Sequence, residues 1–272
     1  MITASLVLYK SKPHEVKRVI GCVDKSIIST VYVVDNSPSD DLRELVCKSS
    51  SKAIYLFGQG NVGYGEGNNI GMKKAMEAGS LYHAILNPDI IFEAEVIVAL
   101  TEYLKTHEDV GLIKPEQENP NNPFNTSAKL LPTPFITFGR RFLPRIIVDK
   151  INRRYELQTI DLTKARNVPN FSGSFLYFKM SVLNEVGLFD TRYFMYFEDF
   201  DLVRRFHKVS KTVFYPHVKI VHAHNAEHRR NKKLLLMGLK SGIKYYNKWG
   251  WIFDSDRNKW NKETFTKESV CE

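Results

Sequence analysis

Three acids, Glu198, Asp199 and Asp201, stand among Tyr193, Phe194, Tyr196, Phe197 and Phe200, with Arg204 and Arg205 one turn later. An apolar wall disfavours ionisation and raises a carboxyl pKa, and closely spaced acids drive one another's proton affinities apart. Such surroundings suit a general base that takes a proton from a hydroxyl near neutral pH. The same residues also fit the first turn of a helix, where acids meet the positive end of the dipole and arginines pair with them at i,i+4. The stretch alone leaves both readings open.

Other residue sets could serve a charged ligand. Asp35-Asn36-Ser37-Pro38 follows the apolar run Thr30 to Val34, at the kind of strand end where open α/β sheets bind ligands; turn chemistry alone would also use these residues. Six glycines lie in the fourteen residues Gly58 to Gly71, ahead of a helix expected over Met72 to Ala78. Glycine lets backbone approach a ligand closely, and a helix N-terminus suits phosphate; the alternative is that the glycines only let the helix pack on the sheet. Gly58, Gly60 and Gly63 match the dinucleotide fingerprint, and Asp89 stands where a ribose-binding acid would, so an NAD(P)-dependent oxidoreductase is a rival reading. His222 and His224 share one face of a late strand and could ligate a metal or simply lie at the surface.

The elements that must position these residues alternate β and α. Strands are expected at Ser5 to Tyr9, Thr30 to Val34, Ala53 to Phe57, His83 to Leu86 and Val110 to Ile113, with helices at His14 to Cys22, Asp40 to Ser49 and Glu93 to His107. That order predicts a parallel, doubly wound α/β sheet. Pro115 to Pro134, with five prolines and four asparagines, reads as a long loop, and Phe135 to Tyr155 as a basic flap or surface helix. Phe175 to Lys179 is a strand, Val182 to Val186 a helix ended by Gly187, and Thr212 to Tyr215 and Val218 to Val221 are late strand pieces. The residues from Asp254 on read as a polar, frayed end.

Taken in order, the motifs resemble family 2 glycosyltransferases, and among them bacterial rhamnosyltransferase-like members that build surface polysaccharides. The resemblance rests on Val33 to Ser37, Asn61 to Gly71, Leu86 to Asp89, Gly187 to Asp190, Phe197 to Leu202 and the late strand ending at His222, and it spans Ser5 to about Trp251. It implies a GT-A fold, a Rossmann-like αβα sandwich around a mixed, mostly parallel sheet. Residues 1–230 would form the glycosyltransferase domain: a nucleotide-sugar half (1–114), a loop or flap (115–167) and an acceptor half (168–230). Residues 231–272 would be a basic helical tail.

The resemblance also implies roles. Asp199 matches the catalytic base, with Glu198 beside it. Asp35 would contact the nucleoside; Asn61, Gly63, Gly67, Asn68 and Asn87 would shape the donor pocket, with Arg229 and Arg230 near its phosphates or merely solvated. Gly173, Ser174 and Asp201 would lie on the acceptor side. Asn87-Pro88-Asp89 occupies the place of the family's Asp-x-Asp with the first acid absent, leaving Asp89, with His222, to hold Mn²⁺ or Mg²⁺. The implied reaction is inverting transfer from a nucleoside diphosphate sugar, dTDP-rhamnose or a UDP-sugar, to a glycan or polyprenyl-diphosphate-linked acceptor.

Bulk properties bound the partners. With 272 residues and a net charge of +9, the chain calls for phosphate-bearing ligands, nucleic acid or an anionic membrane surface. No nucleic-acid motif accompanies the charge, so a nucleic-acid binder is the weaker rival. Three cysteines without metal-ligand spacing fit a reduced cytosolic setting, and no leader or membrane-length apolar run is visible. Lys232, Lys233, Lys240, Lys244 and Lys248 alternate with leucines, Tyr246, Trp249 and Trp251. That pattern reads as a helix lying on the inner face of the plasma membrane, packing on the domain, or pairing with a second copy.

Overall fold

The computed structural model describes residues 1–120, 127–139, 143–222 and 232–271. In chain order the elements of the first half are β1 (Ile2–Leu8), α1 (Pro13–Lys25), β2 (Thr30–Asp35), α2 (Arg43–Ser49), β3 (Ala53–Phe57), α3 (Tyr64–Glu77), β4 (Tyr82–Leu86), β5 (Ile90–Phe92) and α4 (Ala94–Thr106). Then follow β6 (Val110–Glu118), β7 (Ala128–Lys129), α5 (Pro134–Phe138), α6 (Arg145–Tyr155), β8 (Arg166–Asn167), β9 (Asn170–Phe171) and β10 (Phe175–Lys179). The remainder is α7 (Met180–Val186), α8 (Glu198–Val209), β11 (Lys211–His222), α9 (Lys232–Trp249) and α10 (Ser255–Glu263).

The continuously apolar runs become the buried centre of one sheet, ordered β3-β2-β1-β4-β10-β6-β11-β5, with β8 also on β11. β1 through β4 are mutually parallel, as are β6 and β11; β10, β5 and β8 run the other way. Alternate strand residues serve two cores. Ala4, Leu6, Val31 and Val33 pack with Val16, Val19 and Ile20 of α1 and Leu100 of α4. Tyr32, Ile85, Leu176 and Phe178 pack with Met72 of α3, Leu183 of α7 and Leu202 of α8. The sheet is therefore mixed, mostly parallel and covered on both faces, which is why its strands carry apolar runs instead of alternation.

Four expectations are corrected. α3 begins at Tyr64, so the glycine-rich stretch is mostly helix. A Cβ on Gly65 would press on Phe189, on Gly67 on Val7 and on Gly71 on Ser5, so close packing outweighs glycine's poor helix propensity there. Pro115 does not end β6, which runs on to Glu118; β10 pairs only with Leu112 and Ile113, so Pro115 sits where the strand has one neighbour. The two late strand pieces are one strand, β11, irregular between Tyr215 and Lys219.

Nor is the end frayed. Asp254 caps α10 by accepting from the Arg257 amide and pairs with the buried guanidinium of Arg204, while Cys271 donates its amide to Ala165. α9 packs on the domain through Ser241, Gly242, Tyr245 and Tyr246. Lys248 is held by Asp190 and Asp201. Among the described residues no helix is long and apolar enough to cross a membrane.

Candidate active site

β10 begins opposite the end of β4, Phe175 against Leu86. β11 ends against the start of β5, His222 against Ile90. This register brings the Ser172–Ser174 loop, the Asn87–Asp89 turn and His222 to one sheet edge. α8 delivers its acids to the same edge through a turn in which Tyr196 and Phe197 both take left-handed backbone, φ 68° and 67°. Two such bulky residues in succession cost about 1–3 kcal/mol each and persist only where surrounding contacts over-determine them. Here the Phe194 carbonyl accepts from the Tyr64 amide and the Met195 carbonyl from Ser241 Oγ, so α3 and α9 hold the turn from two sides.

Asp199 is the most exposed of the three acids of α8, though only partly so. Its Oδ2 accepts from the Gly173 amide at 2.8 Å and its Oδ1 from the Phe200 amide at 2.9 Å. Burial pushes its pKa up, while those two amides and the nearby Lys114 cation draw it back. Only glycine fits at 173, because a Cβ there would stand 2.8 Å from Asp199 Cβ. Glu198 is 5% exposed, and its Oε2 has no hydrogen-bond partner among the described residues. Burial, and then the Asp199 charge, raise its pKa well above the usual range. Both acids are pushed toward their neutral forms, Asp199 against the opposing pull of two amides and Lys114.

A hydrogen-bonded chain connects this pair to the opposite wall. The Tyr64 hydroxyl lies 2.8 Å from both the Gly173 carbonyl and Asn87 Oδ1, and the Asn87 amide donates to the Ser174 carbonyl at 2.9 Å. Ser174 Oγ donates to Gln117 Oε1 at 2.7 Å, and Gln117 Nε2 meets His222 Nδ1 at 3.0 Å. His222 Nε2 is 3.0 Å from Asp89 Oδ2. Beneath the chain, the fully buried Lys114 donates to the Ser172 and Phe175 carbonyls at 2.9 Å and to Ser174 Oγ at 3.3 Å. Burial draws its pKa down to about 7.

Asp89 and His222 offer an oxygen and a nitrogen donor side by side. Among the described residues no group of three or more His, Cys, Asp or Glu side chains forms a metal cluster. Two protein donors fit Mn²⁺ or Mg²⁺ where phosphate oxygens and water complete the shell. A cavity of about 190 Å³ opens beside Asp89, with Lys12, His14 and Arg18 on its walls.

The other residues expected on the donor side are placed as follows. Asp35 is buried, accepting from the Ser37 amide at 2.9 Å and the Tyr55 hydroxyl at 2.5 Å. The exposed Asn61 accepts from the Gly63 amide, and Gly63 has φ 89° with its Cβ position closed by the Phe194 carbonyl. Gly67 and Asn68 face inward: Asn68 is fully buried, accepting from Ser5 Oγ at 2.6 Å.

Asp201 is not brought to this group. It lies 200° around α8 from Asp199 by helix geometry, fully buried and bonded to Arg205, Trp249 and Lys248. Arg229, Arg230 and His224 lie outside the described residues.

Sequence reading missed Lys114, Gln117 and Tyr64. Lys114 had a signal, since it directly continues the apolar run Val110 to Ile113; a lysine inside a buried strand needs a reason.

Comparison with known proteins follows the geometry. Glycosyl transferase family 2 matches residues 16–187, ending before the acids of α8. The N-acetylglucosaminyl-diphospho-decaprenol L-rhamnosyltransferase of Mycobacterium tuberculosis is 26% identical over 263 residues, covering 87% of this chain and 84% of the relative. The low-salt glycan biosynthesis hexosyltransferase Agl10 of Haloferax volcanii is 28% identical over 206 residues, 74% of this chain and 59% of its own.

Among solved structures, GalNAc-T7 with UDP, GalNAc and Mn²⁺ superposes with a TM-score of 0.68 at 12% identity, over 92% of this chain and 48% of that one. The chain thus spans about half the length of that structure. The mannosyltransferase PcManGT of Pyrobaculum calidifontis with GDP-Man and Mn²⁺ gives 0.57 at 14%, over 89% and 64%. The mixed sheet covered on both faces is the GT-A glycosyltransferase fold. By the sequence match over most of its length, the chain belongs to glycosyl transferase family 2.

Proposed function

We propose that this glycosyltransferase moves a sugar from a nucleoside diphosphate donor to a hydroxyl of a lipid-linked or growing surface glycan, with inversion at the anomeric carbon. The observation that carries it is the chain of contacts from Asp199 through Gly173, Tyr64, Asn87, Ser174 and Gln117 to the Asp89–His222 pair. Asp199 takes the proton of the acceptor hydroxyl as that oxygen attacks. Glu198, holding its own proton, keeps a second negative charge out of the site. Asp89 and His222 would hold Mn²⁺ or Mg²⁺, which when bound neutralises charge on the departing diphosphate. Lys12 and Arg18, on the cavity wall beside Asp89, supply charge-assisted donors to the same phosphates. Asp35 and Asn61 flank the nucleoside.

Rhamnose from dTDP-rhamnose, passed to a polyprenyl-diphosphate-linked acceptor at the inner face of the membrane, is the specific reading. It is supported by likeness to the mycobacterial rhamnosyltransferase across most of both chains. The test is a thermal-shift screen across nucleoside diphosphate sugars with and without Mn²⁺, since a ligand that binds only the folded state raises Tm. A shift with dTDP-rhamnose that needs Mn²⁺ supports the reading. A shift with NAD(P) and none with any sugar nucleotide overturns it.

A further inference from the structure

The loop after α9 presents its apolar side chains outward: Ile252 is 77% exposed and Phe253 92% exposed. This loop is not loose. Gly250 takes φ 102°. The guanidinium of Arg257, itself 3% exposed, donates to the carbonyls of Gly250, Trp251 and Ile252 at 3.3–3.4 Å. Asp254 ties that arginine and Arg204 beneath the loop. A buried charged network therefore fixes an apolar tip in water, where folding gains nothing from it. Exposed apolar groups held in this way gain free energy only when something else covers them.

The surface around the tip narrows what that cover is. Trp251 donates its indole N–H to Asn247 on α9 at 2.8 Å, which joins the loop to the outer face of that helix. Helical spacing puts Leu236, Lys240, Ile243 and Asn247 along this face, with Lys233 and Lys244 at its margin. All of these are exposed, and Leu236 is 57% exposed. Apolar side chains, a tryptophan at the boundary and flanking ammonium groups match a bilayer surface with anionic headgroups.

We propose that the Trp251–Phe253 loop and the outer face of α9 form a docking surface for an anionic lipid bilayer, with Ile252 and Phe253 entering the interface. The surface rests on the membrane-face part of the proposed function and is separable from its chemistry, because none of its residues is among those of the acid cleft.

The test is co-flotation of the full chain with phosphatidylglycerol or phosphatidylcholine vesicles at low and high salt. The chain should float with phosphatidylglycerol, not with phosphatidylcholine alone, and less as salt rises. An I252S/F253S variant should bind at least roughly tenfold more weakly with an unchanged Tm. K240E/K244E should lose on the order of fivefold per lysine. Failure of the parent chain to float with phosphatidylglycerol overturns the proposal, as does equal flotation of I252S/F253S. A concentration-dependent dimer abolished by I252S/F253S would overturn it in favour of a second copy. Donor thermal shifts measured on the same variants stay unchanged in every case, so a failed docking surface is distinguishable from a failed transferase reading.

Discussion

His222 Nε2 lies 3.0 Å from Asp89 Oδ2, and its other ring nitrogen meets the Gln117 amide at 3.0 Å. A ring nitrogen that holds a cation needs its lone pair free, with the proton on the other nitrogen. Turning the Gln117 amide over would supply an acceptor to Nδ1–H and a donor to Ser174 Oγ without moving heavy atoms. Q117A should therefore weaken Mn²⁺ affinity about 10–100-fold, read by calorimetric titration of Mn²⁺ in the presence of nucleoside diphosphate. D89N and H222A should lose the Mn²⁺-dependent part of donor binding. Wild-type Mn²⁺ affinity in H222A would remove this pair from any metal site.

The adjacent acids predict opposite mutational outcomes. D199N removes the proton acceptor and should cost about 10²–10⁴-fold in transfer while the donor-induced thermal shift remains. E198Q replaces a protonated acid by its neutral isostere and should cost less than the ~10²-fold expected for loss of a base. Reversal of the two results would make Glu198 the base.

Lys114 supplies a pH signature. Its cation lowers the Asp199 pKa against the rise caused by burial, so K114M should move the acid limb of kcat/KM to higher pH. Stability should respond as well. The folded pKa of Lys114, about 7, lies below its ordinary value of 10.5. Between these values the unfolded chain binds more protons, so wild-type stability gains from rising pH across that window. The gain is absent below about pH 7 and should be missing from K114M. Parallel denaturation curves for the two proteins between pH 7 and 10 would refute it.

Much of the first half was legible because buried parallel strands carry apolar runs that need no partner to be recognised, as in Thr30 to Val34. Long-range packing decided what was not legible. The glycines of α3 look like loop until Val7, Ser5 and Phe189 are known to press on them. Asp201 looks like part of the acidic site until the helix turns it toward Lys248 and Trp249. β5, only three residues long, exists because β11 pairs with it. Asp199 and Asp89, the proposed base and metal-side acid, stand out from motif order, whereas Tyr64, Gln117 and Lys114 come into view only through contacts across the sheet edge.

The C-terminal end is tied down by a buried network in which Asp254 meets both Arg204 and Arg257. Arg204 and Asp254 are 1% and 2% exposed and meet through two hydrogen bonds at 2.5 and 2.8 Å, with Trp249 4.2 Å from the guanidinium carbon. Such a pair returns little net stability against apolar residues of the same shape, yet removing one partner strands the other charge in the interior. D254A should therefore cost about 3–5 kcal/mol in urea denaturation, and R204M/D254L should recover only part of that loss, because the buried Arg257 still loses its carboxylate partner. The intermediate variant should also release the α10 cap, so amide exchange over Ser255 to Glu263 should rise in D254A and stay elevated in the double variant, which restores packing and leaves the cap absent. A D254A protein as stable as wild type, with α10 still protected, would show that the end is ordered by its apolar contacts alone.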